Sequence, residues 1–264
     1  MQTGLYIVGT PIGNLSDMSP RAIDVLKNVD LVAAEDTRVF GKIASHFDIK
    51  TPRVSCHEHN ERTVIDGLIE KIRGGASVAV VSDAGMPAVS DPGFRIVRAA
   101  RDAGVPVFVV PGPTAVISAL VLSGFPTDRF TFCGFFDEKK LREDNRIRHT
   151  IVYYESPNRV RDTVAAMARV MPERKIAIVR EITKIHEETI IGYPADLLDT
   201  VVRGEVVIVV APAPEHKMSD AEITQIVNDV AAGSTKSAAA DLAARAGISK
   251  KEAYKRLLNQ GDDK

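Results

Sequence analysis

Val78–Gly93 reads VAVVSDAGMPAVSDPG, and its two halves follow different rules. Val78–Val81 is a short unbroken apolar run, the pattern of a strand buried on both faces. The chain then breaks into aspartate, proline and glycine, and a helical pattern resumes at Phe94. Glycine and proline at such a place hold an unusual backbone and let a ligand approach it closely. In open α/β sheets ligands bind just beyond the carboxyl ends of the strands. This loop is therefore a candidate site, and Asp83 is its first polar side chain.

Working outward, the same strand-then-loop pattern recurs. Leu5–Val8 ends in Gly9-Thr10-Pro11-Ile12-Gly13-Asn14, Leu31–Ala34 in Glu35-Asp36-Thr37-Arg38, and Val107–Val110 in Pro111-Gly112-Pro113-Thr114. Between them lie helical patterns: one opened by Ser19 as N-cap and Pro20 at the first helical position, then Thr63–Arg73 and Phe94–Ala103. This βαβα rhythm predicts a mostly parallel sheet over residues 1–114. A second α/β domain is expected over 115–213. It starts with the small-residue apolar helix Ala115–Ser123. Strands follow at Arg129–Cys133, Thr150–Tyr154, Lys175–Arg180 and Val206–Val210, with helices near Arg159–Val170 and Ala195–Val202. Some of its connections suit hairpins, which predicts a mixed sheet. Ala211–Glu215 (APAPE) reads as a linker. Residues 214–264 predict a small helical domain resembling a helix-turn-helix, with helices at 221–231 and 237–245 and a third at 250–258 capped by Ser249.

Composition narrows the function. The chain has 264 residues and a net charge of −1, so global charge does not announce a nucleic-acid partner. Locally, residues 139–161 hold seven Lys/Arg against three Asp/Glu, and residues 236–264 hold seven against four. Such strips are either solvated loops or contacts to a phosphate backbone. Cys56 and Cys133 stand alone, which suits a reducing cytoplasm and argues against disulfides or structural zinc. No basic segment followed by an apolar stretch opens the chain, and the longest apolar run, Ala115–Leu122, is too short to span a bilayer. A cytoplasmic protein without membrane contact is expected.

The loops each carry a functional and a plainer reading. The Gly9–Asn14 turn sits where a phosphate loop could, but it is not GxGxxG, and no Walker A pattern exists. Asp36 can cap a helix with Arg38 exposed, or Arg38 can clamp a phosphate. Cys56-His57-Glu58-His59 resembles a metal cluster, but neighbours on extended chain face opposite ways and no second cluster stands at zinc spacing, so no metal is expected. The turn Pro111–Ala115 opens a helix and is either a connection or a carboxylate or ribose binder. Tyr154-Glu155-Ser156-Pro157 and Arg180-Glu181-Ile182-Thr183-Lys184 end two strands of the second domain. They are either solvated ion pairs or the wall of a cleft between domains.

Taken in order, GTPIGNL, EDTR, VVSDAGMPAVSDPG, PGPTA, YESP, REITK and GEVVIVV resemble the ribosomal RNA small subunit methyltransferase I family of the tetrapyrrole methylase superfamily. The match runs over about residues 5–211, and the tail resembles the family's helical C-terminal domain. The resemblance implies S-adenosyl-L-methionine (SAM) as methyl donor and 2′-O-methylation of a cytidine in the decoding region of 16S rRNA, within the small ribosomal subunit. It also implies two α/β domains with SAM between them, and a homodimer. By position, Pro11, Asp83, Gly85, Met86, Pro87, Thr114 and Ala115 match the SAM-binding loops, with Tyr154 and Ala211 on the adenine side. Two stretches depart from the family pattern. Gly134–Lys140 is altered and the stretch after it short, and Asn158 replaces a histidine.

A 2′-hydroxyl is a poor nucleophile until its proton begins to leave, so that reaction calls for a base. Glu155 and Lys184 are favoured over Glu181 and Asp36, Lys184 on condition that its pKa is depressed. Arg38, Arg159 and Arg180 are the expected phosphate contacts. Two other readings use the same features: a SAM-dependent methylase of a tetrapyrrole or other small substrate, and a non-catalytic SAM- and RNA-binding module.

Overall fold

The computed structural model describes residues 1–57, 60–91, 93–214, 249, 251–253 and 255. The chain divides into two units, residues 1–213 and 214–264. The first holds two sheets.

The first sheet is built from β1 (Gly4–Val8), α1 (Pro20–Asn28), β2 (Leu31–Ala34), α2 (Thr37–His46), β3 (Arg53–Ser55), α3 (Glu61–Arg73), β4 (Ser77–Val81), α4 (Phe94–Asp102) and β5 (Val107–Val110). Its strand order is β3-β2-β4-β1-β5, and every pairing is parallel. From β1 the chain steps through β2 to one edge, then turns back through β4 to β5 at the other. Right-handed crossovers then put α1 and α2 on one face and α3 and α4 on the opposite one. The strands' alternation obeys this. Tyr6 and Val8 pack with Leu26 and Phe40, whereas Leu5 and Ile7 pack with Leu68 and Ile96. Ser19 caps α1, accepting from the Ala22 amide at 3.1 Å, with Pro20 in the first turn.

The second sheet follows α5 (Ala115–Ser123) and comprises β6 (Phe130–Phe135), α6 (Leu141–Asp144), β7 (Thr150–Glu155), α7 (Val160–Val170), β8 (Ile176–Arg180), β9 (Glu188–Gly192) and β10 (Val206–Val210). Its order is β6-β7-β10-β8-β9. Only β6–β7 is parallel, so this sheet is mixed, as its hairpin-length connections predict. One face is covered by α7 through Val164 and Met167, the other by α5 through Val116, Ala119 and Leu120. Because α5 is apolar all round, its outer face leaves Ile117 and Val121 exposed, Val121 by 67%. Arg174 lies 2% exposed beneath this sheet, and its guanidinium donates to the carbonyls of Ala211, Ile147 and His149 at 2.8, 2.9 and 2.9 Å.

Differences from the sequence reading are local. The helix expected at Ala195–Val202 is a 3₁₀ turn over Pro194–Leu197. The run Thr200-Val201-Val202 is β-branched and loses rotamer freedom in a helix, and Leu197 and Val202 reach the core without one. The edge strands β3 and β9, with few buried residues, left no clear alternation to read. In the tail, Ser249 accepts from the Glu252 amide at 3.2 Å as an N-cap does, and Lys251–Ala253 are helical. The other helices expected at 221–231 and 237–245 lie outside the described residues, as do Glu58 and His59 of the Cys-His cluster. Cys56 is buried in the core. Among the described residues no helix is long and apolar enough to cross a membrane.

Candidate active site

The loops after β1, β4 and β5 meet where the strand order reverses, the place where open α/β sheets bind ligands. Backbone contacts tie them, and the Thr10 hydroxyl adds a bond to the Ser82 carbonyl at 3.2 Å. Thr10 and Gly85 exchange two hydrogen bonds, at 2.9 and 3.1 Å, and the Gly9 amide donates to Val110 at 3.0 Å. Gly9 and Gly112 touch so closely that a Cβ on Gly112 would stand 2.9 Å from the Gly9 backbone. Gly85 holds φ at +78°, which glycine tolerates and other residues resist. At the end of the third loop, Thr114 caps α5, accepting from the Ile117 amide at 3.2 Å.

These loops form one wall of a cavity of about 310 Å³, and the second sheet forms the other. Gly85, Met86, Thr114, Ala115 and Tyr154 all line it, as expected for a common site. Ile12, Val89, Phe135 and Ile182 add apolar surface, and Phe135 stacks edge-on to Tyr154 with centroids 5.5 Å apart. Pro11, Asp83 and Pro87 belong to the same loops but do not line the cavity. Asp83 accepts from the Asp36 amide at 3.0 Å and donates its own amide to Glu35 at 3.2 Å, binding the β2 and β4 loops together.

Ala211 requires a correction. Register pairs Val206 with Glu155 and Val210 with Ile151, so the cavity opens at the start of β10 and Ala211 lies past its far end. Four residues of strand put it about 13 Å away, where its amide donates to Lys175 and its carbonyl accepts from Arg174. Gly204, Glu205, Val206 and Val207 take the place expected of it. Antiparallel pairing of β10 with β7 was the missing information, because it reverses which end of β10 faces the loops.

Of the two expected bases, Glu155 lines the cavity and Lys184 does not. The Glu155 side chain is fully buried; its carboxylate accepts from the Ser156 amide at 2.6 Å and from the Thr163 hydroxyl, and pairs with Arg159 at 2.8 Å. It holds the YESP turn onto α7. Lys184 contacts Glu181 at 2.8 Å and Glu205 at 3.2 Å. Burial alone would lower its pKa, but those two carboxylates outweigh burial and hold it above the ordinary lysine value, so the required depression is absent. Its stem lies on the first domain's turn: a Cβ on Gly13 would meet Lys184 Cγ at 2.7 Å. The same contact with Lys184 lowers Glu181, and the Arg38 side chain and amide hold Asp36 at about 2.

The three expected phosphate ligands are all paired within the chain. Arg38 is bound to Asp36 at 2.7 Å, which caps α2, while its side chain stays 89% exposed. Arg159 pairs with Glu155 and is half exposed; Arg180 pairs with Glu188 at 2.8 Å and is largely covered. The basic strip instead presents Lys139, Lys140, Arg142, Arg146 and Arg148 on the exposed β6–β7 connection. Asp91 was overlooked among the lining residues, although it is the second aspartate of the decisive loop.

Comparisons with known proteins identify the family. The family model described as Tetrapyrrole (Corrin/Porphyrin) Methylases matches residues 4–197. The ribosomal RNA small subunit methyltransferase I of Vibrio cholerae serotype O1 is 46% identical over 220 residues, covering 78% of this chain and 76% of that protein. The protein of the same name from Pseudomonas aeruginosa is 42% identical over 274 residues, covering 97% of each. The crystal structure of uroporphyrin-III C-methyltransferase from Thermus thermophilus complexed with S-adenosylhomocysteine shares the fold, with a TM-score of 0.57 at 22% identity, over 79% of this chain and 97% of that one. The chain belongs to the ribosomal RNA small subunit methyltransferase I family, within the tetrapyrrole methylases.

Proposed function

We propose that this protein transfers the methyl group of SAM to the ribose 2′-oxygen of a cytidine in the decoding region of 16S rRNA. The observation carrying the reading is the shared cavity, where loops of both sheets bring Gly85, Met86, Thr114, Ala115 and Tyr154 to one ligand-sized space. Its chemistry suits SAM. Apolar walls with an aromatic ring suit adenine and an aliphatic chain. The titratable side chains on those walls, Asp91, Glu155 and Glu205, are acidic, which favours a cationic ligand over a phosphate. Gly85 would let the cofactor reach bare backbone, with Met86, Thr114 and Ala115 beside it and Tyr154 and Gly204–Val207 on the opposite wall. Pro11, Asp83 and Pro87 would support these loops without lining the cavity.

When bound, SAM supplies a methyl group already activated for displacement by its positive sulfur. The protein's task is then to orient the hydroxyl, exclude water and accept a proton. The β6–β7 basic strip, with Arg38 and Arg159 at exposed positions, would meet the RNA backbone, as phosphate contacts position without specifying sequence. The partner would be 16S rRNA within the small subunit, in the cytoplasm. A homodimer would cover the exposed apolar face of α5, since a two-fold interface uses one patch twice.

The test is methyl incorporation from labelled SAM into small-subunit particles lacking the modification, with the product mapped by resistance of the 2′-O-methylated linkage to alkali. Label in one decoding-region cytidine supports the reading. Label only in a porphyrinoid substrate, or RNA binding without transfer, refutes it.

A further inference from the structure

Each group expected to act as a base is committed elsewhere: Glu155 to the YESP turn, Asp36 to Arg38, and Glu181 and Lys184 to each other. Asp91 is not. It lines the cavity, and among the described residues no cation acts on it. Its loop is held against local preference. Ala88 and Ser90 sit at φ +71° and +62°, in the left-handed region that non-glycine residues seldom occupy. Such strain persists only where surroundings over-determine the backbone, and it gathers at functional sites. Here Gly93 closes the loop at φ +130°, so tightly that a Cβ there would stand 3.2 Å from the Ala88 amide nitrogen.

We propose that Asp91 is the general base of the methyl transfer, accepting the proton of the attacking 2′-hydroxyl; this rests on the reading of the cavity as a SAM and RNA site. The O–H bond breaks and its proton passes to the Asp91 carboxylate. The oxygen's electron pair forms the new C–O bond, and the C–S pair stays on sulfur, which leaves as a neutral thioether. Asp91 then returns the proton to water.

The surroundings suit the task. Glu35 at the end of β2 and Asp83 on the same loop act on Asp91 with like charge, Ser82 offers a hydroxyl, and Tyr154 faces it from β7. Burial first, then those two carboxylates, push the Asp91 carboxyl up to about 6, while Ser82 opposes the rise. A base with proton affinity near neutral pH is ionised at the working pH and still accepts a proton readily. Tyr154 is pushed up by burial and then by the Asp91 charge, so it stays a neutral phenol.

The test compares wild type, Asp91→Asn and Asp91→Glu. Single-turnover transfer to small-subunit particles should fall roughly 100-fold or more in Asp91→Asn, while SAM affinity by calorimetry, which loses one of three wall carboxylates, falls by less than about tenfold. The Asp91 carboxyl carbon resonance of the ligand-free protein should titrate near pH 6, the midpoint of the acid limb of wild-type kcat/KM. Asp91→Glu should keep such a limb and Asp91→Asn should lose it. Transfer by Asp91→Asn within about threefold of wild type overturns the proposal, as does SAM affinity falling as far as the rate. A wild type that binds SAM but leaves rRNA unmethylated overturns the parent reading, and the base with it. Wild-type transfer with an unimpaired Asp91→Asn overturns the base alone.

Discussion

Replacing Asp91 by asparagine should make the ligand-free protein more stable at neutral pH. The carboxyl rises from 3.8 in its ordinary state to about 6 in the folded protein, mainly through burial. A group raised on folding contributes stability that is fully present below its unfolded pKa and is lost as pH rises through its folded pKa. Ionised Asp91 is therefore a penalty at pH 7 and above. A displacement of about two pH units corresponds to at most about 3 kcal/mol. Asp91 is only partly buried, and solvent screening brings the figure to roughly 1–2 kcal/mol. Asparagine keeps the shape and never ionises. For a unit of about 200 residues, each kcal/mol moves Tm by about 2–4 °C, so Asp91→Asn should melt about 2–8 °C higher at pH 8. The gap should close progressively between pH 6 and about pH 4, where the wild-type carboxyl is protonated in the folded state. Differential scanning calorimetry of both proteins across that range measures it. A constant Tm difference across the range, or a variant less stable at pH 8, refutes the assignment of a buried, charge-crowded carboxylate.

Other perturbations probe the scaffold. Arg174→Met takes the guanidinium from three part-buried carbonyls and should cost about 1–3 kcal/mol, seen as a lower urea midpoint. Gly112→Ala drives a Cβ into the Gly9 backbone, which cannot yield as a side chain can. SAM affinity by calorimetry should fall at least tenfold; unchanged binding would show that the loop contact does not shape the cavity. Gly204→Ala meets both a positive φ of +83° and the Glu181 carboxylate, and should release Lys184 from its pairing. A Lys184 Nζ resonance that keeps its titration in that variant would contradict the account. Val121→Glu charges the exposed centre of α5, the face of the proposed homodimer, and light scattering should report a dimer for the wild type and a monomer for the variant.

Much of the architecture was legible because burial on both faces leaves a simple mark. β1, β2, β4, β5 and β10 are near-unbroken apolar runs, and three of their observed spans coincide with the sequence reading to the residue. Caps were legible too, since Ser19 and Ser249 bond the amides their positions call for. The edge strands β3 and β9 were not, because they bury little and their pairing is decided by the sheet they join, whereas β5, also at an edge, was marked by its apolar run alone. The site was half legible for a related reason. Loops after parallel strands all emerge at one end, so their residues could be gathered without knowing the fold. In the second domain β10 runs antiparallel to β7, and Ala211 was placed at the wrong end. Sequence spacing offers Arg159 and Glu181 as near partners of Glu155 and Lys184, but not Thr163 and Glu205, which come to them through tertiary contact.

The residues hardest to read are those where local preference is overruled. The non-glycine residues at positive φ include Ala88 and Ser90 on one cavity-forming loop and Glu181 and Thr183 on the other. Neither pair follows from propensity, since alanine and glutamate favour helices and threonine favours strands. Each pair is held from outside. Gly93 closes the first loop against Ala88, and the second rests on Gly13 through Lys184 while the Glu187 carboxylate accepts the Thr183 amide at 2.6 Å. The two loops come from different sheets, and Asp91 and Ile182 put them on opposite walls of the same cavity. Strain that tertiary contacts impose at one place from two directions is hard to explain by folding alone, because either loop could relax if the cavity had no use. Stability spent there, together with the crowding of Asp91 by Glu35 and Asp83, is what a site must retain to keep a carboxylate reactive near neutral pH.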